Sequence, residues 1–174
     1  MSQVAEERER WNRKYREKSS CAPSVPLLLY QHHLTRGRAL DLAGGTGENA
    51  AILALAGWKV TLVDLSDEAV RRARDRARAL HVEIAILQAD ALRLPLRGPF
   101  ETIVVTRYVE RSIAPVLAAL LAPGGTIFCE QPSSGIRKDF VVEPGQFPRI
   151  FADLESVLDT TQGGCSVYIG RRRR

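Results

Sequence analysis

The stretch Ala39-Leu40-Asp41-Leu42-Ala43-Gly44-Gly45-Thr46-Gly47-Glu48 leaves this chain few choices of fold. It reads as a buried strand that ends on a carboxylate, then a glycine-rich turn, then the start of a helix. Gly44, Gly45 and Gly47 let the backbone turn tightly and lie against a ligand with no Cβ in the way. The helix that follows, over 48–56, points its unpaired N–H groups toward that ligand.

From Arg38 onward strands and helices alternate. Strands are predicted over 38–42, 59–63, 82–87, 100–105 and 126–129. Pro123-Gly124-Gly125 is expected to stop the helix over 113–121. In the helix capped by Ser66, Ala69, Val70, Ala73, Ala77 and Leu80 form the expected buried face, and Arg71, Arg72, Arg74, Arg76 and Arg78 fall on solvated faces. Two further strands, over 154–158 and 165–169, turn within 160–164 as an antiparallel hairpin. The expected fold class is α/β: a doubly wound, mostly parallel seven-stranded sheet with a C-terminal antiparallel hairpin. Ahead of it, an expected helix over 4–18 carries Val4, Trp11 and Tyr15 at helical spacing. That stripe reads equally as core packing or as a lid over a ligand.

At 174 residues the chain is most simply one structural domain. We divide it into a helical cap (1–36), a core (37–170) and a basic tail (171–174). It holds no apolar run of the roughly 18 residues that a membrane span needs, so no membrane partner is expected. A charged N-terminus with no signal-like apolar segment, and cysteines at 21, 129 and 165 without Cys-x-x-Cys spacing, favour a reducing cytoplasm and no metal site. The net charge is +5, but Arg171-Arg172-Arg173-Arg174 supplies four of those charges, which reads as a solvated end rather than a nucleic-acid surface.

Asp41, Asp64, Asp90 and Thr106-Arg107 all fall at carboxyl ends of predicted strands, where ligands bind in such sheets. Two ligands suit the glycine turn. A dinucleotide matches Gly45-Thr46-Gly47-Glu48-Asn49-Ala50, with Asp64 lying 23 positions after Asp41 as a ribose carboxylate. Its pyrophosphate, however, would face Asp41 and Glu48. Like charges about 4 Å apart repel by roughly 4 kcal/mol at an effective dielectric near 20. S-adenosylmethionine has no phosphate and carries an ammonium and a sulfonium, so the same carboxylates favour it.

The segment Asp41-Leu42-Ala43-Gly44-Gly45-Thr46-Gly47 resembles the first motif of class I S-adenosylmethionine-dependent methyltransferases, with Ala43 in place of the first glycine. The resemblance continues at Val63-Asp64-Leu65-Ser66, at Gln88-Ala89-Asp90-Ala91 and at Leu121-Ala122-Pro123-Gly124-Gly125, covering roughly 38–130. Trp11-Asn12-Arg13-Lys14-Tyr15 is similar to the Trp-x-x-x-Tyr helix of small members related to the tellurite-resistance and thiopurine types, where that helix closes over the cofactor. The resemblance implies a Rossmann-like fold. It also implies roles: Asp41 toward the methionyl ammonium, directly or through water; Ala43, Gly44, Gly45 and Gly47 for close backbone approach; Asp64 on both ribose hydroxyls; Leu65 beside the adenine. Asp90 would accept from the adenine amino group, the Ala91 N–H would reach a ring nitrogen, Thr106 would offer backbone to the methionine moiety, and Trp11 and Tyr15 would cover the cofactor. Taken singly, each aspartate would serve as a helix cap or loop turn; jointly they point to cofactor binding.

For the acceptor side the candidates are Arg107, Tyr108 and Glu110, then Arg137. An Arg107–Glu110 surface ion pair is the competing reading for two of them, and no catalytic base stands out. The Asp/Asn-Pro-Pro-Tyr/Phe element of base amino-methylating enzymes is replaced by Thr106-Arg107-Tyr108-Val109, and Cys129 lacks the surroundings of a cytosine-methylating nucleophile. A small-molecule acceptor is therefore expected. RNA methylation, or S-adenosylmethionine binding without catalysis, are the alternatives.

Overall fold

The computed structural model describes residues 2–17, 22–108, 110–135 and 141–174. Its strands are β1 (Arg38–Leu42), β2 (Lys59–Asp64), β3 (Ile84–Gln88), β4 (Phe100–Thr106), β5 (Leu121–Pro132), β6 (Glu155–Gln162) and β7 (Cys165–Arg171). The helices are α1 (Gln3–Glu17), α2 (Val25–Tyr30), α3 (Glu48–Leu55), α4 (Asp67–Ala79), α5 (Ala114–Leu120) and α6 (Phe147–Ile150). The strands form one sheet in the order β3-β2-β1-β4-β5-β7-β6. All neighbours are parallel except β7, which runs antiparallel to both β5 and β6. The fold is thus the expected Rossmann-like α/β sheet. Its strand order reverses between β1 and β4, which opens a crevice at their carboxyl ends.

Strand periodicity divides the core into two layers. On one face Ala39, Leu62, Val104, Phe128, Val167 and Ile169 pack with Leu27 of α2, Ala50 and Leu53 of α3, and Ala73 of α4. On the other, Leu40, Leu42, Ile103, Val105, Ile127 and Tyr168 pack with Ile113, Leu117, Phe147 and Phe151. The continuous β-branched run of β4 is buried on both faces, as a central parallel strand requires.

Four local expectations change. Pro123-Gly124-Gly125 does not separate helix from strand. Leu121 already pairs with Phe100, Thr126 pairs with Thr102, and the residues between form an irregularity in β5. The backbone beyond β7 makes this possible: the Gly124 N–H donates to Arg172 O and the Arg172 N–H to Gly125 O, both at 2.9 Å. Arg171 and Arg172 therefore extend the sheet instead of forming a loose end. The Arg172 guanidinium also donates to Ala119 O (3.0 Å) and Leu121 O (2.5 Å), satisfying carbonyls at the end of α5. Leu80 caps α4 and is 42% exposed, one step past the buried face. The terminal strands run longer than expected, because the turn tightens to Gly163-Gly164 and pairing continues from Gln162–Cys165 to Glu155–Arg171. No helix among the described residues is long and apolar enough to cross a membrane.

Leu62 links the core to the crevice: it is fully buried, and its Cδ1 lies 2.9 Å from where a Cβ on Gly44 would stand. Leu62→Ala is expected to cost about 2–5 kcal/mol of stability, read from urea unfolding. A loss below 1 kcal/mol would show that this contact does not hold the glycine turn in place.

Candidate functional site

A cleft of about 550 Å³ lies over the carboxyl ends of β1, β2 and β4 and beneath α1, a size suited to a drug-sized ligand. Its floor is the turn of Ala43, Gly44 and Gly45, and its flanks are Asp64 and Leu65 at the end of β2, Asp90 and Ala91 after β3, and Thr106, Arg107 and Tyr108 at the end of β4. Trp11 and Tyr15 form part of the roof, and Glu110 stands at the rim. Most of the expected site residues therefore meet in one cavity. Asp41 and Gly47 do not line it, and Arg137 lies outside the described residues.

The turn shows why small residues are needed. Gly45 has φ of 56°, and a Cβ there would stand 2.8 Å from the Tyr15 hydroxyl. Gly47 has φ of 82° as the residue before α3, and its missing Cβ lets Ala73 of α4 approach. Ala43 holds φ of 52°, a left-handed conformation that a non-glycine residue adopts at a cost of about 1–2 kcal/mol. Asp41 lies directly below: a Cβ on Gly44 would sit 2.8 Å from its carboxylate. Its side chain is fully buried and neither oxygen has a hydrogen-bond partner. Burial first, then the Asp64 and Glu48 carboxylates, push its carboxyl up to about 7. The nearby Ala50 N–H opposes this but forms no regular hydrogen bond.

Asp64 is the hub of the site. One of its oxygens accepts the Gly45 N–H at 2.8 Å and the other the Ser66 N–H at 2.9 Å. Burial raises its carboxyl above the ordinary range, against the pull of these N–H groups. The Ser66 hydroxyl donates to Asn12 Oδ1 at 2.6 Å, and Asn12 Nδ2 donates to Asp67 at 2.9 Å. Asn12 is the one buried residue of α1. The apolar stripe of Val4, Trp11 and Tyr15 lines the cleft instead of entering the core. An Arg72 guanidinium N–H adds a bond to Tyr15 O at 2.7 Å.

Sequence reasoning passed over both asparagines. Asn49 lines the cleft, accepts the Ser24 N–H at 2.9 Å and donates to Thr106 Oγ1 at 3.0 Å, tying the cap to α3 and β4. Their being the only two asparagines in the chain was the one available signal. Arg76, expected on a solvated face, turns inward to Thr46 O (2.9 Å) and Glu48 Oε1 (2.6 Å). Glu48 is thereby paired, which weakens its share of the electrostatic case against a pyrophosphate.

At the far end, Arg107 holds φ of 56° and donates its N–H to Glu130 O. Glu110 accepts from the Ser112 N–H and hydroxyl, and no Arg107–Glu110 ion pair exists among the described residues. Burial, then Glu110, Asp90 and Glu7, push the Tyr108 phenol up to about 12, so it stays a donor at neutral pH. Cys129 is buried and its thiol is held protonated by desolvation, which removes it as a nucleophile. Among the described residues no cluster of His, Cys, Asp and Glu could hold a metal ion.

A model of the family described as "Methyltransferase domain" matches residues 39–125, half of the chain. The chain belongs to the methyltransferase domain family. An uncharacterised protein of Mycobacterium tuberculosis is 39% identical over 87 residues, covering 49% of this chain and 32% of that protein. A protein-L-isoaspartate O-methyltransferase of Aromatoleum aromaticum is 36% identical over 93 residues, covering 52% and 42%. The chain thus spans less than half the length of these curated relatives. The fold of this methyltransferase domain matches the structure reported for conversion of a disulfide bond into a thioacetal group during echinomycin biosynthesis, with a TM-score of 0.80, 22% identity and coverage of 95% and 93%. It also matches TehB of Haemophilus influenzae (0.75, 15%, 95% and 67%) and the N-methyltransferase NodS of Bradyrhizobium japonicum with S-adenosyl-L-homocysteine (0.71, 18%, 94% and 99%).

The methyltransferase domain's own residues fit S-adenosylmethionine. The turn at Gly44 and Gly45 is a cradle that a Cβ would obstruct, and the unpaired Asp41 carboxylate below it suits a cation above. The same carboxylate makes stability depend on pH. The folded chain binds this proton more tightly than the unfolded one, whose carboxyl sits near 3.8. Stability from Asp41 is therefore full below about pH 4 and declines as pH rises to about 7. Compared with Asp41→Asn, the wild type is expected to lose up to about 4 kcal/mol across that interval. Urea unfolding of both at pH 4, 5.5 and 7.5 measures it, and parallel curves would contradict a buried, unpaired Asp41.

Proposed function

We propose that the cleft binds S-adenosylmethionine and that the protein transfers its methyl group to a small-molecule acceptor by in-line displacement. The observation that carries this reading is the joint placement of Asp64, Asp90 and the glycine turn around one cleft above the buried, unpaired Asp41. When bound, the cofactor supplies an electrophilic methyl on a sulfonium. Each Asp64 oxygen keeps a lone pair beyond its backbone bond and takes a ribose hydroxyl. Leu65 flanks the adenine, the free oxygen of Asp90 accepts from its amino group, and the Ala91 N–H serves a ring nitrogen. Ala43, Gly44 and Gly45 bring backbone to the methionine moiety, with Thr106 on the opposite side. Gly47 supports the turn from behind. Asp41 attracts the methionyl ammonium through the thin turn. Residues 1–36 are the cap, with Trp11 and Tyr15 excluding water, residues 37–170 the core and 171–174 its basic end. Arg107, Tyr108, Glu110 and Arg137 shape the acceptor end. Catalysis then rests on alignment and exclusion of water, with no side chain assigned as base. We place the protein in the cytoplasm, on its cysteine pattern.

Calorimetry with S-adenosylmethionine and S-adenosyl-L-homocysteine tests the binding. Asp64→Ala is expected to weaken both at least tenfold, since hydrogen bonds to a charged acceptor contribute about 1.5–3 kcal/mol each. Unchanged affinity would put the ribose elsewhere. Turnover on a panel of thiols, amines, oxyanions and structured RNA tests the acceptor. Methylation confined to RNA, or tight binding with no turnover, would overturn the small-molecule reading.

A further inference from the structure

The end of the sheet away from the cleft collects the chain's excess positive charge. β1 and β2 begin there side by side, on Arg38 and Lys59. Glu101 stands in the same row, since the next residue, Thr102, faces Ala39. Farther along, Thr126 pairs with Arg171, and the Arg172 N–H donates to Gly125 O. Lys59, Arg38 and Arg172 therefore share one row from β2 to β7, four strand spacings or about 19 Å long. Arg97 borders the row, because Gly98 packs against Leu120 at the end of α5, where the Arg172 guanidinium is also bound. Arg174 lies along the Gly124 turn, its Cγ 3.6 Å from where a Cβ there would stand. Arg36 flanks the other end and donates to Ala56 O.

These cations differ from the rest in two ways. On α1 and α4, Arg8, Arg10, Arg16, Arg71, Arg76 and Arg78 all make ion pairs. Among the described residues, none of Arg36, Arg38, Lys59, Arg97 and the four terminal arginines does. The carboxylates that register places in or beside the row are Glu83, Glu101 and Glu155. The excess of cations over these carboxylates matches the net charge of the whole chain, +5. The second difference is support. The Arg38 guanidinium lies 4.9 Å from the Phe100 ring centroid and that of Arg36 3.7 Å from Trp58. Stacking fixes a guanidinium plane and leaves N–H edges for a ligand.

We propose that this edge binds the phosphate backbone of a double-stranded nucleic acid without reading its sequence. Arginine takes phosphate oxygens in pairs, and about 19 Å of duplex axis presents about eleven phosphate charges. Single strands are held by bases stacking on exposed aromatic rings, but Phe100 and Trp58 are buried beneath their guanidinium groups. A bilayer needs apolar side chains to insert, and the adjoining ends of α3 and α4 offer Leu55 and Leu80 alone. The terminal arginines, a solvated end by composition, gain this role because β7 carries them into line with Arg38 and Lys59. Such binding leaves the cleft facing away from the duplex and is independent of the methyl-transfer reading.

Fluorescence anisotropy on the full chain, with labelled DNA and RNA duplexes of about 20 base pairs, measures the binding and tells which duplex is preferred. With about four phosphates neutralised, the preferred duplex should bind with a Kd of about 1–100 μM in 150 mM salt and about 50-fold more tightly in 50 mM. Arg38→Gln with Lys59→Gln, and separately Arg173→Gln with Arg174→Gln, should each reduce the slope of log K against log salt by about 1.8. Arg71→Gln with Arg78→Gln, on the ion-paired face of α4, should leave the slope unchanged. So should Arg107→Gln, which removes a cation from the cleft. Failure of both duplexes to bind in 50 mM salt would overturn the proposal. A slope that responds only to the terminal pair would reduce the surface to a tail, and a loss in Arg107→Gln would move the nucleic acid into the cleft; either result defeats it. Tighter binding to phosphatidylserine vesicles than to both duplexes would make the partner a membrane instead.

Discussion

Two backbone N–H groups, from Gly45 and Ser66, meet on the Asp64 carboxylate. The first comes from the glycine turn after β1, the second from the turn that starts α4. These are adjacent βα connections, which the β1–β2 register and the Gly44 N–H to Val63 O bond align and which Asp64 clamps together. Ser66 then carries the constraint outward, because its hydroxyl donates to Asn12 and so locates α1 above the cleft. Floor, flank and roof of the cavity are thus linked through one buried carboxylate that keeps acceptor capacity for a ligand.

Charge is distributed unevenly around that hub. Glu48 is compensated by Arg76, an ion pair that also holds Thr46 O. Asp41 has no such partner. Replacing it with a neutral residue would ease folding at neutral pH. The strained φ values of Ala43 and Arg107 fall on the two sides of the same cleft. The unpaired Asp41 and the strained Ala43 and Arg107 thus all lie at or directly beneath the cleft where the ligand is proposed to sit.

Much of the fold was legible because period and punctuation agreed. The β-branched run of β4, the Ser66 cap and the carboxylates at successive strand ends are local signals that tertiary contacts reinforced. The misread places share a cause: their partners are distant in sequence. Pro123-Gly124-Gly125 is a stop signal by composition, but Arg172 supplies the hydrogen bonds that keep it in β5. Arg76 belongs by helical spacing to a wet face, yet the packing of α4 beside α3 brings Glu48 within reach. Asn12 and Asn49 carry no local pattern, because their bonds run to Ser66 and Thr106.

By itself the sequence determined the strand–turn–helix unit at 38–48, the parallel α/β class and the set of acidic strand ends, since each depends on residue type and short spacing. Only the tertiary structure decided that Asp41 lies beneath the turn instead of in the cleft, that the Trp11–Tyr15 face is a roof and not core, and that Glu48 is spent on Arg76. Those outcomes turn on which groups are buried together and which find partners. Burial and pairing are properties of the folded chain, and no local window of sequence contains them.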